Sequence, residues 1–353
     1  MAVGTDAGTV TPRTRGSAPR NGPRGLCVPV ENPSPMAPAE DDISIEEKRV
    51  YAGSAGRTDA YVATGTGVVR VAISGDKVGE FELATRDPAR DVAVLARPDA
   101  ADLLAVATDG DVLVGPIGDD EPGAAEPDGF AAAGVGPAVA VGVHAGAFLA
   151  ADAAGGIRRI GVDGVDGDAA GAASTRIGDV DDPRAVDGPL IAAGDGVHRV
   201  VGTANSGGDR PALESVGLAD ARDVAGAGVP LAATADGLYW LGNGWMAASG
   251  GDATAVAADG DGHALAVVDG DLLVREDAGG DTVGSASDAG WDADAWRVAD
   301  LPVEERPVAL GYGPGLSVAV TDAGTLCVDA GDGWRHQVIG VRGVAGVALA
   351  VAE

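Results

Sequence analysis

Arginine is the side chain whose placement most suggests chemistry in this sequence. Arg90, Arg184, Arg222 and Arg306 each open a short apolar phrase: RDVAVLA, RAVDG, RDVAGAG and RPVALG. A guanidinium recurring at one point of a repeat could build a positive ring that captures an anion or an acidic peptide, because its fork of donors matches a carboxylate or phosphate. The same spacing also suits a structural role. Each arginine could pair with the carboxylates of nearby turns (Asp109, Asp195, Asp236, Asp269 and Asp322) and orient the start of a strand.

Other constellations are thinner. Sialidase-type hydrolysis needs an arginine cluster, a tyrosine nucleophile beside a glutamate, and an acid/base aspartate. Tyr312 lies near Glu304 and Glu305, but among 54 acidic residues such proximity carries little weight. The Asp-rich strings VDGVDGDAAG from Val162 and DGDGH from Asp259 lack the alternating oxygen ligands and distal bidentate acid of a calcium loop. His144, His198, His263 and His336 show no HExxH or paired spacing, and there is no Walker loop, strand-anchored GxGxxG or GxSxG elbow. The sequence therefore assigns no catalytic residue, metal or cofactor.

Composition narrows the setting. The 353 residues carry 24 basic and 54 acidic side chains, for a net charge of −30. Only Lys48 and Lys77 are lysines, and the acids run the length of the chain. This is the balance of a halophile's cytosolic protein, since at molar salt the Debye length shrinks to about 3 Å and self-repulsion is screened. Without a basic footprint, nucleic acid is excluded as a partner. Cys27 and Cys327 stand in unrelated contexts and suggest neither a disulfide framework nor a zinc site, which fits a reducing cytoplasm.

Residues 1–42 read differently from the rest. They are rich in Pro, Gly, Ser and Thr, hold Arg13, Arg15, Arg20 and Arg24, and lack apolar periodicity. Through residue 30 the charge is +3, residues 31–45 add −4, and the remainder carries −29. Too little apolar surface is available to offset the ordering entropy, so the reading is a disordered extension, with a misassigned start as a further hypothesis. No apolar h-region marks a secretory signal in residues 1–30.

From about Glu46 the chain repeats. AYVATGTGVVRV, LLAVATDGDVLVG, FLAADAAGGIRRI, PLIAAGDGVHRV, VPLAATADGLYWL, ALAVVDGDLLVR and LSVAVTDAGTLCV each place an apolar run on either side of a Gly-containing turn. Their turn glycines, from Gly67 to Gly324, are spaced by 43, 46, 40, 41, 33 and 54 residues. Each copy reads as a β-hairpin. The arginine phrase precedes most of them (AVAVGV and ATAVAADG fill the slot without arginine, and RGVAGVALAVA from Arg342 ends the series). A polar strand such as KVGEFELAT follows. Four strands per unit of about 40 to 45 residues are the signature of a β-propeller.

The expected fold is all-β: residues 43–353 form one propeller of seven four-stranded blades, or six or eight if a degenerate repeat is misread. The C-terminal run Val344–Ala352 closes the ring by pairing with the first blade, near Arg49 to Gly53. The stretch Phe130–Ala151 has 22 residues without a charge and is long enough to span a membrane. Pro137 and its glycines make it the first two buried strands of blade three instead. Within ATADGLYWLGNGW, Trp240 reads as inter-blade core and Trp245 as packing at the head of an outer strand.

Two resemblances follow from these phrases. In CVDAGDGWRHQ, Asp329, Gly331 and Trp334 resemble a degenerate Asp-box of sialidase-like propellers. There the family has Ser or Thr at the position of Cys327 and Thr at that of Gly333. The resemblance implies a structural turn and no activity. The acidic body, with EEKRVYAGSAGRTDAYVATGTGVVRV, RDVAV and TDGDVLVG, resembles an uncharacterised haloarchaeal β-propeller family. That resemblance implies fold and a cytosolic setting, without a chemical reaction. The functional expectation is a monomeric, non-enzymatic scaffold that binds a protein or small anionic ligand at one channel mouth. A hydrolase or lyase with a glycosidase-like site in the channel is the alternative.

Overall fold

A computed structural model describes residues 56–117, 129–162, 173–202, 211–275 and 290–352. All belong to one compact unit, Val50–Glu353. The extension expected over residues 1–42 lies outside the described residues.

Each repeat folds as an antiparallel four-stranded sheet. Blade 1 contains β1 (Arg57–Thr64), β2 (Gly67–Ser74) and β3 (Lys77–Thr85). Blade 2 contains β4 (Ala89–Leu95), β5 (Asp102–Thr108), β6 (Val112–Ile117) and the short β7 (Ala131–Ala132). Blade 3 is β8 (Ala140–His144), β9 (Ala147–Ala151), β10 (Gly156–Ile160) and β11 (Ser174–Asp179). Blade 4 is β12 (Pro183–Asp187), β13 (Leu190–Ala193), β14 (Gly196–Val201) and β15 (Ala212–Gly217). Blade 5 is β16 (Ala221–Ala225), β17 (Leu231–Thr234), β18 (Gly237–Leu241) and β19 (Trp245–Gly250). Blade 6 is β20 (Ala253–Ala258), β21 (Ala264–Val268), β22 (Asp271–Arg275) and β23 (Trp296–Val298). Blade 7 is β24 (Pro307–Gly313), β25 (Leu316–Thr321), β26 (Thr325–Asp329) and β27 (Arg335–Val338). The last strand, β28 (Gly346–Ala352), is the innermost strand of blade 1.

Seven blades therefore surround the axis, and the first and last described strands meet in blade 1. The strand that β28 pairs with is β1, from Arg57 opposite Ala352 to Ala63 opposite Gly346, and not the segment near Arg49 to Gly53. β28 takes the inner position itself, so its partner is the run already read as the first strand of the hairpin AYVATGTGVVRV. The inner strands β28, β4, β8, β12, β16, β20 and β24 pack in that order, with β24 returning to β28.

Burial follows strand position. The second strands are buried on both faces, β9 (AFLAA), β13 (LIAA), β17 (LAAT) and β21 (ALAVV) being buried throughout. They lie between two neighbouring blades, which is why they read as continuous small apolar runs. The outer strand β3 is largely exposed, with Phe81 and Leu83 alternating with Glu80 and Glu82. The core divides into seven hydrophobic clusters, one at each junction between blades. Each blade thus buries its faces only against its neighbours. Trp240 packs with Ala253, Val256 and Trp291 between blades 5 and 6, and Trp245 donates its indole N–H to Val216 O at 2.9 Å.

The uncharged stretch Phe130–Ala151 supplies β7 of blade 2 as well as β8 and β9, a boundary earlier than expected. Among the described residues, no helix is long and apolar enough to cross a membrane.

Candidate channel-mouth site

The inner strands enclose a central channel of about 420 Å³. How each arginine reaches it is set by a β-bulge at the start of the strand. Ala89 pairs with Thr108 and Asp91 with Ala107, so Arg90 is the extra residue. The same skip falls at Arg184, between Pro183 and Ala185, and at Arg222, between Ala221 and Asp223. A bulged residue leaves the ladder and its side chain is re-aimed. Arg90, Arg184 and Arg222 accordingly line the channel at the end where the inner strands begin.

Arg306 does not join them. Pro307 pairs with Thr321 as Ala89 pairs with Thr108, so the bulged position in β24 is Val308 and Arg306 stands one residue too early. It pairs with Asp322 at 3.4 Å instead. Arg342 lies ahead of the first residue of β28 and outside the channel lining.

Every one of the four arginines holds a carboxylate. Arg90 pairs with Asp109 in the hairpin turn of its own blade. Arg184 donates to Asp182 at 2.8 Å, to Asp220 at 2.7 Å and to the carbonyl of Ala221 at 3.1 Å. Arg222 donates to Asp252 at 2.6 Å and to the carbonyl of Ala253 at 3.4 Å. Asp220 and Asp252 precede the inner strand of the following blade, so these two arginines bridge blades where turn acids of their own hairpin had been expected. Of those, Asp195 accepts from His198 at 3.0 Å, and Asp269 caps Asp252 N at 2.8 Å.

The sequence reading missed the acids beside the arginines. Asp91, Asp187 and Asp223 also line the channel. The carboxylates of Asp91 and Asp223 touch the channel space yet are largely enclosed by protein, whereas Asp187 is exposed to it. Burial pushes Asp91 and Asp223 up to about 7, and Asp187 upward as well. The charges of Asp223 and Asp187 add to the effect on Asp91. The signal was present in RDVAV, RDVAGAG and RAVDG, but acids are too common here for three of them to stand out.

Room in the channel depends on small residues at the position equivalent to Asp91. Gly346 occupies it on β28, and a methyl there would lie 2.6 Å from Asp91 Oδ1. Ala140, Ala185, Ala255 and Ala309 hold it on four other strands.

The remaining candidates stay apart. Tyr312 pairs with Ser317 at the far end of β24 from Glu305, whose carboxylate accepts from Thr321 at 2.6 Å. Tyr312 and Glu305 thus stand at opposite ends of the strand. Asp329 accepts Gly331 N at 2.8 Å and Gly333 N at 3.1 Å, both glycines have positive φ (102° and 93°), and Trp334 packs against the hydrophobic cluster between blades 6 and 7. This turn lies on blade 7 away from the channel lining. Asp259 spends one oxygen on Asp261 N and His263 N, and the other faces His263 Nδ1 at 2.5 Å, a local turn. The Asp-rich string from Val162 falls almost wholly outside the described residues. Among the described residues, no group of His, Cys, Asp and Glu is arranged to hold a metal ion. Cys327 is buried and its thiol is pushed up to about 12.

Solved structures that this chain resembles share little sequence with it. Apo AztD from Citrobacter koseri is 12% identical with a TM-score of 0.45, over 82% of this chain and 83% of that one. The computationally designed Ika8 protein is 14% identical with a TM-score of 0.47, over 82% and 91%. Human WBSCR16 is 15% identical with a TM-score of 0.47, over 78% and 88%. No curated protein matches the sequence. The family described as HVO_0234-like β-propeller matches residues 44–350, which takes in every blade and most of the closing strand, and the chain belongs to that family.

Proposed function

We propose that the chain is a non-enzymatic scaffold in a halophile's cytoplasm that takes a small anionic ligand, or an acidic segment of a protein partner, at the arginine-bearing mouth of its channel. The observation that carries this reading is the trio of bulges that aims Arg90, Arg184 and Arg222 at one opening. Their present partners do not preclude it. Arg184 and Arg222 are 29% and 32% exposed, and their partners Asp220 and Asp252 are 58% and 56% exposed. Exposed ion pairs are worth about 0 to 1 kcal/mol, so a ligand carboxylate or phosphate can replace either aspartate, which returns to water at little cost. The acidic composition supports the setting, and the same charge argues against a nucleic-acid partner.

The test is thermal stabilisation in molar salt by phosphate and by small dicarboxylates. The wild type should gain several degrees with at least one of them, and Arg184→Gln/Arg222→Gln should keep its melting temperature while losing that gain. No gain in the wild type, or the same gain in both proteins, overturns the reading.

The alternative, a hydrolase or lyase, draws support from Asp91 and Asp223, two carboxylates held near neutrality in one cavity, as acid/base pairs are. Turnover of any glycoside or uronate in molar salt that disappears in Asp91→Asn would favour it over the scaffold.

A further inference from the structure

Blades of a propeller share no hydrogen-bond ladder across their inner strands, so the free edges of those strands need other partners. Here acids in the channel supply them. Asp91 on β4 accepts Val92 N of its own strand and Val141 N of β8, each at 2.9 Å. Asp223 on β16 accepts Val224 N at 2.9 Å and Val256 N of β20 at 2.8 Å. Asp187, at the end of β12, accepts Gly226 N at 2.6 Å from the chain leaving β16. One motif, at the position after the bulged arginine, thus joins blade 2 to 3 and blade 5 to 6, and Asp187 joins blade 4 to 5 from the other end of its strand.

All three carboxylates face one space. The titratable groups that line it are Arg90, Arg184, Arg222 and Tyr312 besides the three acids, while β8, β20 and β28 contribute none. The arginines are occupied at the rim by Asp109, Asp182, Asp220 and Asp252, and among the described residues none of the three channel acids is in an ion pair.

We propose that Asp91, Asp187 and Asp223 form a proton-operated latch on the ring. With protons held in the channel the blades are drawn together, and when the protons leave, repulsion across the channel loosens the three junctions. The direction follows from linkage. Burial holds Asp91 and Asp223 at about 7, above the ordinary 3.8 of an unfolded aspartate. Between those values the folded chain binds more protons than the unfolded one, so the latch's stability is present at the acidic end of the window and is lost as pH rises through about 7.

The experiment follows the full chain in molar salt, comparing the wild type with Asp91→Asn/Asp223→Asn from about pH 5.5 to about pH 8. General charge effects act on both proteins, so the difference between their melting curves isolates the latch. The wild type should lose stability across the window relative to the variant, and the variant should be the more stable at the alkaline end. That outcome is opposite to the simple loss of two hydrogen-bond acceptors. Protonated-carboxyl infrared absorption of the wild type should also persist to near-neutral pH. This second measurement decides the matter if the variant does not fold. Parallel melting profiles, or absence of that absorption above about pH 5.5, overturns the proposal.

Discussion

Arg70 shows what a buried charge does in this fold. Its guanidinium is nearly enclosed and donates through Nε to Asp59 Oδ2 at 2.7 Å, with Glu82 at 3.3 Å. Asp59 is 4% exposed and also accepts from the half-exposed Arg57 at 3.0 Å. Removing Arg70 leaves the buried Asp59 with only the half-exposed Arg57, so Arg70→Met should cost up to about 3 kcal/mol in chemical denaturation, and adding Asp59→Leu should restore much of it. An equally destabilised double variant would show that the site needs the charges themselves. At this scale the sequence was legible only in part. Arginines stand out in an acidic chain, so Arg90, Arg184 and Arg222 could be picked from their phrases. Asp91 and Asp223, the next residues along, could not, because nothing in their spacing separates them from dozens of solvated acids. Arg306 misled for a finer reason: its phrase matches the others, and only the bulge at Val308 reveals that it sits one residue out of register.

The hairpin is the element that the sequence wrote most plainly, and its chemistry lies in a threonine. Thr64, Thr108 and Thr234 end their strands with Oγ1 donating to the carbonyl three residues on, at 2.6, 2.7 and 3.0 Å. The same hydroxyl of Thr234 accepts Asp236 N and Gly237 N, each at 3.2 Å, with Gly237 buried and Asp236 exposed at the tip of the turn. Gly237 follows with φ of +154°, where a methyl would strike the backbone of Ser249. Thr234→Val keeps the shape but leaves those groups without a partner, for an expected cost of about 1 to 3 kcal/mol. Thr234→Ser should recover most of it, and equal stability of the valine variant and the wild type would remove the turn's claim on the hydroxyl. Local pattern suffices to find such hairpins because both strands and the turn lie within a dozen residues. The ring closure is different. That β28 is inner, and that its register runs along Arg57–Ala63, depends on residues nearly three hundred positions apart in the chain, and no local pattern encodes that register.

The whole molecule is a ring of seven separate small cores, each at a junction, under a net charge of −30. Repulsion between acids on neighbouring blades acts across those same junctions, while small Ala and Val contacts supply most of the opposing cohesion. At low ionic strength, with a screening length of about 10 Å or more, charges on adjacent blades feel one another, and at molar salt, with about 3 Å, they do not. The melting temperature should therefore rise steeply with potassium chloride up to the molar range. The rise should exceed that given by sucrose, which favours burial without screening charge. Because blades lean only on their neighbours, low salt should open the ring at junctions first, visible as early hydrogen exchange of inner-strand amides while second strands stay protected. A melting temperature indifferent to salt would mean that local pairs such as Arg184 with Asp182 and Asp220 already neutralise the field. The acidic surface would then be a matter of solubility rather than of holding the ring together.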